Sequence, residues 1–488
     1  MEERKGFGTN FGFLMAAVGS AVGLGNIWGF PNKMGASGGF TFLVIYLVLA
    51  VLCGFIVMVG ELALGRKTHH GAVGAYKALS KKFKWMGWLG ILSAFFILFF
   101  YCALGGYCIK YTVLNIGDLF HAGFGANALA ETAAANGNSL GAEVFGAFMS
   151  SPTEAIVFGL IFVALTMVIV IGGIGGGIEK VCSVGMPALF VMLLICIIRA
   201  CTLEGAVDGL KYMFVPGWAV TNGVIEEAPG FLTVLSTAGG QMFFSLSLGM
   251  GAMITYGSYL DKKENLQKNA ILIIVMDTLV ALMAGLCVIP GRFALDPDGA
   301  LGGPKLLFVT MQNVFSRMGG FGPIFGILFY LLVVFAAVSS SISLLEVIVA
   351  HFVDKARNEG KGDMRKKYTL IAAACVGVGC ILVCADRLGD ASFTPWKLLN
   401  LPAESIRTWN DCWLDFWDML SEGIMMPLGA LLMSLMIGWE VGPDVVKEEC
   451  EASGHAMGSY GFFKICIKYI TPLIMIFVLY GQIKEFFF

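Results

Sequence analysis

The sequence predicts an all-α polytopic membrane protein with eleven transmembrane helices, and three observations predict it. The 488 residues are 57% hydrophobic and only 14% charged, against roughly 25% charged in soluble domains, and the mean hydropathy is +0.80. Apolar runs of about 20 residues, the length that crosses a bilayer, recur from end to end. Two of these runs, half the chain apart, are interrupted by glycine-rich, hydroxyl-bearing segments: Gly19-Ser20-Ala21-Val22-Gly23-Leu24-Gly25-Asn26 and Phe244-Ser245-Leu246-Ser247-Leu248-Gly249-Met250-Gly251.

The runs fall at 10–34, 39–64, 86–116, 154–173, 183–201, 232–256, 269–290, 321–350, 368–385, 413–438 and 465–482. Orientation follows from Lys and Arg in the connections. The connection after the second run carries Arg66, Lys67, Lys77, Lys81, Lys82 and Lys84, and the one after the eighth carries Lys355, Arg357, Lys361, Arg365, Lys366 and Lys367. Residues Gly117–Thr153 contain neither Lys nor Arg. The N-terminus is therefore expected in the cytoplasm, and the odd span count puts the C-terminus outside a plasma (inner) membrane. The basic connections are expected to be solvated faces. The other long connections, Pro290–Gly320 with its Asp296-Pro297-Asp298-Gly299 turn signal and Asp386–Cys412, are read as outer loops. Met1–Asn10 is too polar for a cleavable signal. The 13 cysteines lack the spacing of a disulfide framework or zinc cluster and read as packing residues. No basic patch of nucleic-acid type is present.

A membrane helix interrupted in its middle exposes peptide groups that lipid cannot pair. Two such helices in corresponding halves point to the binding site of a secondary transporter. They suggest one transmembrane domain over 1–488, with inverted repeats at about 10–201 and 232–438 and an extra helix at about 465–482. In the first break, glycines at 19, 23 and 25 permit unusual backbone, although glycine also serves close helix packing in membranes. Unwinding there frees carbonyls around Gly19, Ala21 and Val22 for a cation, and the N–H groups of Leu24 and Gly25 for a carboxylate. Asp277 lies in the apolar run Ile271–Leu282. An intramembrane carboxylate costs at least ~2.5–3.5 kcal/mol on insertion scales, so a functional partner is expected.

Ser20-Ala21-Val22-Gly23-Leu24-Gly25-Asn26-Ile27-Trp28-Gly29-Phe30-Pro31 resembles the signature of the neurotransmitter:sodium symporters, bacterial leucine-transporter-like branch. So do Gln241–Gly249, Gly177-Ile178-Glu179-Lys180 with Met186-Pro187, and Phe335–Ser341. The resemblance implies the leucine-transporter fold, a 5+5 inverted repeat with helices 1 and 6 broken, and two sodium sites. The first would use the Ala21 carbonyl, Asn26, Ser245 and Asp277. The second would use the carbonyls of Gly19, Val22 and Ala336 with the Ser339 and Ser340 hydroxyls, hard oxygen ligands suited to small cations. Serines in a helix also bond back to their own backbone, which is the competing reading for Ser339-Ser340-Ser341.

The resemblance further implies an amino-acid pocket. Tyr101 with the Leu24 and Gly25 N–H groups would hold a carboxylate. Ala21, Phe244 and Ser247 would face the amine, and Ile97, Phe244, Met250, Ser340, Ser343 and Leu344 would wrap the side chain. Gly23 stands where amine carriers place Asp, which favours an amino acid. Met250 replaces a common Phe, which suggests bulky aliphatic or aromatic cargo. Tyr46, Gln241 and Ser245 match parts of a chloride site, but Ala281 stands where a hydroxyl or acid is usual. With Asp277 supplying the charge, chloride is not expected to be required.

For the gates, Phe244 would close over the cargo. Asp418 matches the outer-gate acid, while Gly29 stands where its arginine partner belongs; closure would rest on packing, or on Arg387 or Arg407. The inner gate would pair Arg4 with Asp354 beside Ser258-Tyr259, with Phe7 where Trp is common. The expected function is sodium-coupled uptake of hydrophobic amino acids by alternating access. The alternative is a sodium-dependent amino-acid or amine sensor without concentrative transport. No nucleophile–base pair or metal-ligand cluster suggests an enzyme.

Overall fold

The computed structural model describes residues 7–400 and 410–487. With no water in the hydrocarbon layer, each apolar run must pair its own peptide groups, so each becomes a helix. The first run forms α1 (Asn10–Ala21) and α2 (Gly25–Ala36), bent by 45° at their junction. It starts at Thr9, whose hydroxyl accepts from the Gly12 N–H at 2.9 Å, an N-cap. Next come α3 (Phe40–Thr68), α4 (Met86–Leu119), α5 (Pro152–Ile171) and α6 (Ile174–Cys201). The sixth run is split into α7 (Phe231–Ser245) and α8 (Ala252–Gly257). Then follow α9 (Leu266–Leu295), α10 (Gly319–Asn358), α11 (Arg365–Gly389), α12 (Trp413–Val441) and α13 (Tyr460–Phe487). Among the described residues nine helices are long and apolar enough to cross a membrane, or ten with the bent α1–α2 pair as one span. The α7–α8 segment takes the place of the sixth expected span; its interruption at 246–251 leaves neither piece long enough alone.

The helices α4 and α10 make the most extensive helix–helix contact of the bundle and form its axis. Glycines let α5 close onto this axis: a Cβ at Gly106 of α4 would lie 2.5 Å from the Gly159 backbone of α5, and one at Gly105 2.6 Å from the Phe162 ring. Small residues at such crossings let backbones approach where no hydrophobic drive exists.

The structure corrects several expectations. The region Gly117–Thr153 contains helices Ala130–Asn136 and Leu140–Met149, and Pro290–Gly320 is helical to Leu295 and again from Gly303 to Arg317. Arg66 is not a solvated loop charge. The second span runs to Thr68, burying Arg66 completely, with its Nε on Glu449 at 2.8 Å and its Nη1 on the Glu264 carbonyl at 2.6 Å. Likewise Arg365 donates twice to the buried Glu346, at 2.6 and 2.9 Å.

The first-break glycines are also reassigned. None of Gly19, Gly23 and Gly25 has a positive φ; they are small because neighbours press on them. A Cβ at Gly23 would stand 2.2 Å from Ser340 Oγ and 2.3 Å from Tyr101 Oη, and one at Gly25 2.9 Å from the Phe244 ring. Left-handed backbone belongs to the second break, at Ser247 (φ 54°), Gly249 (φ 80°) and Gly251 (φ 77°). A Cβ at Gly249 would also meet the Met426 carbonyl at 2.2 Å. Gly249→Ala therefore combines a left-handed penalty of ~1–2 kcal/mol with a backbone clash, and is expected to lower the thermal midpoint of the purified protein sharply. Gly458→Ala, with nothing within 4 Å and no positive φ, is the control expected to leave the midpoint unchanged in the same thermal-shift measurement.

Candidate binding site between the two broken helices

The two breaks meet at the α4–α10 axis, and their peptide groups are answered by buried side chains. At the start of α2, Tyr101 Oη of α4 accepts from the Leu24 N–H at 2.9 Å, and Asn26 Oδ1 accepts from the Gly23 N–H at 2.9 Å. Gln241 of α7 donates to the Gly25 carbonyl at 2.6 Å. At the second break, Glu61 of α3 accepts the Gly249 N–H at 2.7 Å, and Ser247 Oγ donates to the Ser20 carbonyl at 2.7 Å.

One group of the expected ligands gathers around Asp277, which is fully buried in α9. Its carboxylate accepts from Asn26 Nδ2 at 2.7 Å, from Ser245 Oγ at 2.9 and 3.1 Å, and from Tyr46 Oη at 3.4 Å. All three donors are neutral. Ala21 closes α1 beside them, so its carbonyl belongs to the last turn, where helical acceptors lack intrahelical partners. A buried carboxylate held only by neutral dipoles is the environment in which a cation gains most.

A second group lies where α1 crosses α10. Ser340 Oγ is 3.3 Å from the Gly19 carbonyl, 3.1 Å from that of Ser20 and 3.3 Å from that of Val22. Ser339 Oγ is 3.2 Å from the Val22 carbonyl and 2.9 Å from that of Ala336. Each hydroxyl has one proton to donate, so two protons face four carbonyls. This surplus of oxygen acceptors fits a small hard cation. The back-bonding alternative holds for Ser341, which donates to Val338 at 3.0 Å, and for Ser343, which donates to Ser340 at 2.7 Å; Ser339 shares it, since its shortest contact is the Ala336 carbonyl one turn back at 2.9 Å.

Of the expected pocket residues, Tyr101, Phe244, Ser247, Ser340 and Ser343 converge on the first break. The Phe244 ring is 6.3 Å from Tyr101 and 6.4 Å from Phe100. Ser343 accepts from Ser20 Oγ at 2.8 Å. Ile97 and Leu344 are buried one helical turn from Tyr101 and Ser340, and Met250 is buried with its main chain packed on Gly90 of α4.

Four residues central to this arrangement are not singled out by the sequence reading: Ser20, Lys33, Glu61 and Glu346. Glu61 and Lys33 are charges inside apolar spans, and the rule that marks Asp277 marks them equally. A cation does stand beside the expected outer-gate acid Asp418, and it is Lys33. Arg387 donates to the Asp390 carbonyl at 3.2 Å, and Arg407 lies outside the described residues. Lys33, one turn beyond Gly29 in α2, pairs with Glu422 of α12, with Asp418 and Glu485 near enough to act on its charge. A Cβ at Gly29 would stand 2.8 Å from Gln241 Oε1, so a side chain there would have to displace the end of Gln241.

At the inner end, Arg4 lies outside the described residues, while Asp354 accepts from the Gly71 N–H at 3.3 Å. The Phe7 ring packs edge-on against Tyr256 at 5.7 Å and Tyr259 at 6.2 Å. Tyr259 Oη donates to Glu346 at 2.7 Å, beside Arg365.

Comparison with known proteins agrees with this architecture. The family profile described as "Sodium:neurotransmitter symporter family" matches residues 4–121 and 151–394. The chain is 32% identical to the uncharacterized sodium-dependent transporter YhdH of Bacillus subtilis, covering 96% of both chains. It is 30% identical to an uncharacterized sodium-dependent transporter of Haemophilus influenzae, covering 97% of both. The crystal structure of MhsT in complex with L-phenylalanine superposes with a TM-score of 0.82 at 31% identity, covering 98% of this chain and all of that one.

Lys33→Gln leaves the buried Glu422 without its cation; with the Lys33 side chain 17% exposed, the cost is expected below the ~3–5 kcal/mol of a fully buried pair. The variant is expected to show a lowered thermal midpoint, with Lys33→Arg recovering most of it. An unchanged midpoint for Lys33→Gln would show that the pair does not hold α2 to α12.

Proposed function

The chain belongs to the sodium:neurotransmitter symporter family, a family of transporters rather than enzymes, and from that premise we propose which cargo it carries and how. The protein is a sodium-dependent membrane transporter of leucine-transporter fold. Its cargo, in our reading, is a hydrophobic amino acid with a bulky aliphatic or aromatic side chain. The carrying observation is the juxtaposition at the first break: the Tyr101 hydroxyl, which accepts the Leu24 N–H and keeps its own proton to donate, the Ser20 carbonyl and the Phe244 ring around a backbone without side chain at Gly23. These are a donor for a carboxylate, an acceptor for an ammonium and an apolar wall. MhsT, with L-phenylalanine in its crystal structure, supports the same reading.

Two sodium ions accompany the cargo. One sits with Asp277, Asn26, Ser245 and the Ala21 carbonyl, and is completed by the cargo's carboxylate. The other sits with Ser339, Ser340 and the Gly19, Val22 and Ala336 carbonyls. Asp277 takes over the charge that chloride provides elsewhere. Per ion, a tenfold gradient is worth ~1.4 kcal/mol and −100 mV ~2.3 kcal/mol. Two ions together supply about 7 kcal/mol, enough for roughly 10⁵-fold accumulation of a zwitterion. The N-terminus faces the cytoplasm, the C-terminus the outside, and the repeats run over about 10–201 and 232–438.

Sodium orders the breaks in the outward-facing state. Cargo completes the first sodium site, Phe244 and the Lys33–Glu422 pair close the outer side, and release of the inner contacts at Phe7, Tyr259 and Asp354 lets the cargo out. The sensor alternative drew its motive from the missing arginine at Gly29, and Lys33 removes that motive.

Proteoliposomes loaded with potassium and diluted into sodium are expected to concentrate radiolabelled phenylalanine or leucine, with gluconate as effective as chloride. Binding without accumulation would reject transport, and collapse in gluconate would reject chloride independence. Asp277→Asn is expected to raise the half-saturating sodium concentration at least tenfold, the loss of one close charge, while Gly23→Asp should abolish amino-acid uptake by filling the space against Ser340 and Tyr101.

A further inference from the structure

Two cavities at one end of the bundle meet at a shared wall outside the transport site. The first, of about 590 Å³, opens between the short helix Ala72–Leu79 and the end of α10, and is lined among others by His70, Lys77, His351 and Lys355. The second, of about 340 Å³, is a groove between α4, α10 and α11 lined by Trp88, Ile91, Phe95, Ile348, Tyr368 and Cys375, with hardly any polar surface. The wall between them is Trp88 packed edge-on against His351, with ring centroids 4.8 Å apart.

The polar cavity also holds two acids: Glu359 is paired with Lys361 at 2.5 Å, whereas Asp354 accepts from the Gly71 N–H at 3.3 Å and keeps its charge, which Lys77 and Lys355 together outweigh. Lys77 and Lys355 stand exposed on opposite walls. Lys81, Lys82 and Lys84 follow directly on the same connection, and Trp85 and Trp88 beside them are about half exposed, at 50% and 45%. Exposed tryptophans at the end of membrane helices mark the headgroup level. From there the groove descends along α4 from Trp88 to Phe95, about 10 Å at 1.5 Å per residue, toward the hydrocarbon.

We infer that this pair of cavities binds an anionic phospholipid. Its phosphate lies between Lys77 and Lys355, and one acyl chain lies past Trp88 along the groove between α4, α10 and α11. Lysines between transmembrane helices at the membrane surface select lipid headgroups by charge; here Lys77 and Lys355, with Lys81, Lys82 and Lys84 on the same connection, outnumber Asp354 and Glu359, and an apolar groove adjoins their cavity across Trp88. The lipid would be one that bridges the Ala72–Leu79 helix to α10, the helix that carries Ser339 and Ser340 about three turns or more further along. The inference rests on membrane embedding and not on the identity of the cargo, so its test needs no transport.

Native mass spectrometry of the detergent-purified full-length protein reads it directly, with dioleoyl-phosphatidylglycerol and dioleoyl-phosphatidylcholine as equimolar probes. The wild type is expected to retain phosphatidylglycerol about tenfold over phosphatidylcholine. Lys77→Gln with Lys355→Gln should bring the preference near one, and Lys77→Arg with Lys355→Arg should keep it. Cys375→Trp, filling the groove from its lipid-facing side, should reduce retention of phosphatidylglycerol in a protein whose thermal midpoint is unchanged. A wild-type preference below about threefold overturns the inference, as does one that survives the double Gln substitution. Displacement of the lipid by an equal concentration of glycerol 3-phosphate would show that the groove has no part, and overturns it too.

Discussion

A peptide group left unpaired at mid-membrane is the constraint on which the rest of this structure depends, because hydrocarbon offers no substitute for the lost helical hydrogen bond. The protein answers the two polarities differently. The freed N–H groups at Gly23, Leu24 and Gly249 each receive a fixed side-chain acceptor from Asn26, Tyr101 or Glu61. The freed carbonyls crowd around hydroxyls that carry too few protons: Ser340 alone faces Gly19, Ser20 and Val22. Donors are satisfied by the chain, and acceptors are left in surplus. That asymmetry is what makes the crossing of α1 and α10 suited to cations and unsuited to anions.

The same economy orders the bundle around its axis. Tyr101 on α4 and Ser339 and Ser340 on α10 belong to two long, continuous helices packed along each other, whereas the groups they meet belong to the interrupted spans. One end of each interrupted span is fastened by a polar lock. Lys33 on Glu422 holds α2 to α12. Tyr259 on Glu346, itself held by Arg365, ties the end of α8 to α10 and α11. Locks of this kind contribute little net stability against hydrophobic replacements but are costly to half-break. They therefore favour discrete arrangements over intermediate ones, as alternating access requires.

The elements legible in the sequence were those the membrane dictates. Apolar runs of spanning length, the two interrupted spans and the buried Asp277 all followed from the cost of polar groups in lipid. What escaped was decided by tertiary contact. Gly19, Gly23 and Gly25 read as conformational hinges, yet their size answers to Ser340, Tyr101, Phe244 and Cys182 across helix interfaces. Arg66 counted as a cytoplasmic charge, but its partner Glu449 lies 383 residues away. Lys33 was hidden because it stands one helical turn beyond position 29, and a motif fixed to that position cannot register a cation further along the same helix face. Glu61 and Glu346 were within reach of the rule that found Asp277. The Arg4 half of the inner gate lies outside the described residues.

Asp277 ties these threads together. A carboxylate with no exposure, held by an amide and two hydroxyls, keeps its charge at a cost of several kcal/mol unless a cation offsets it. Asn26 donates to it while accepting the Gly23 N–H, so the charge is mechanically joined to the backbone of the first break. Ser245, the last residue of α7, joins it in the same way to the second. A cation arriving at Asp277 thus relieves one electrostatic debt and stiffens both interrupted helices in a single step. On the proposed function, coupling between ion and cargo then needs no relay across the bundle: the side chains that hold the Asp277 carboxylate also hold the backbone beside Gly23.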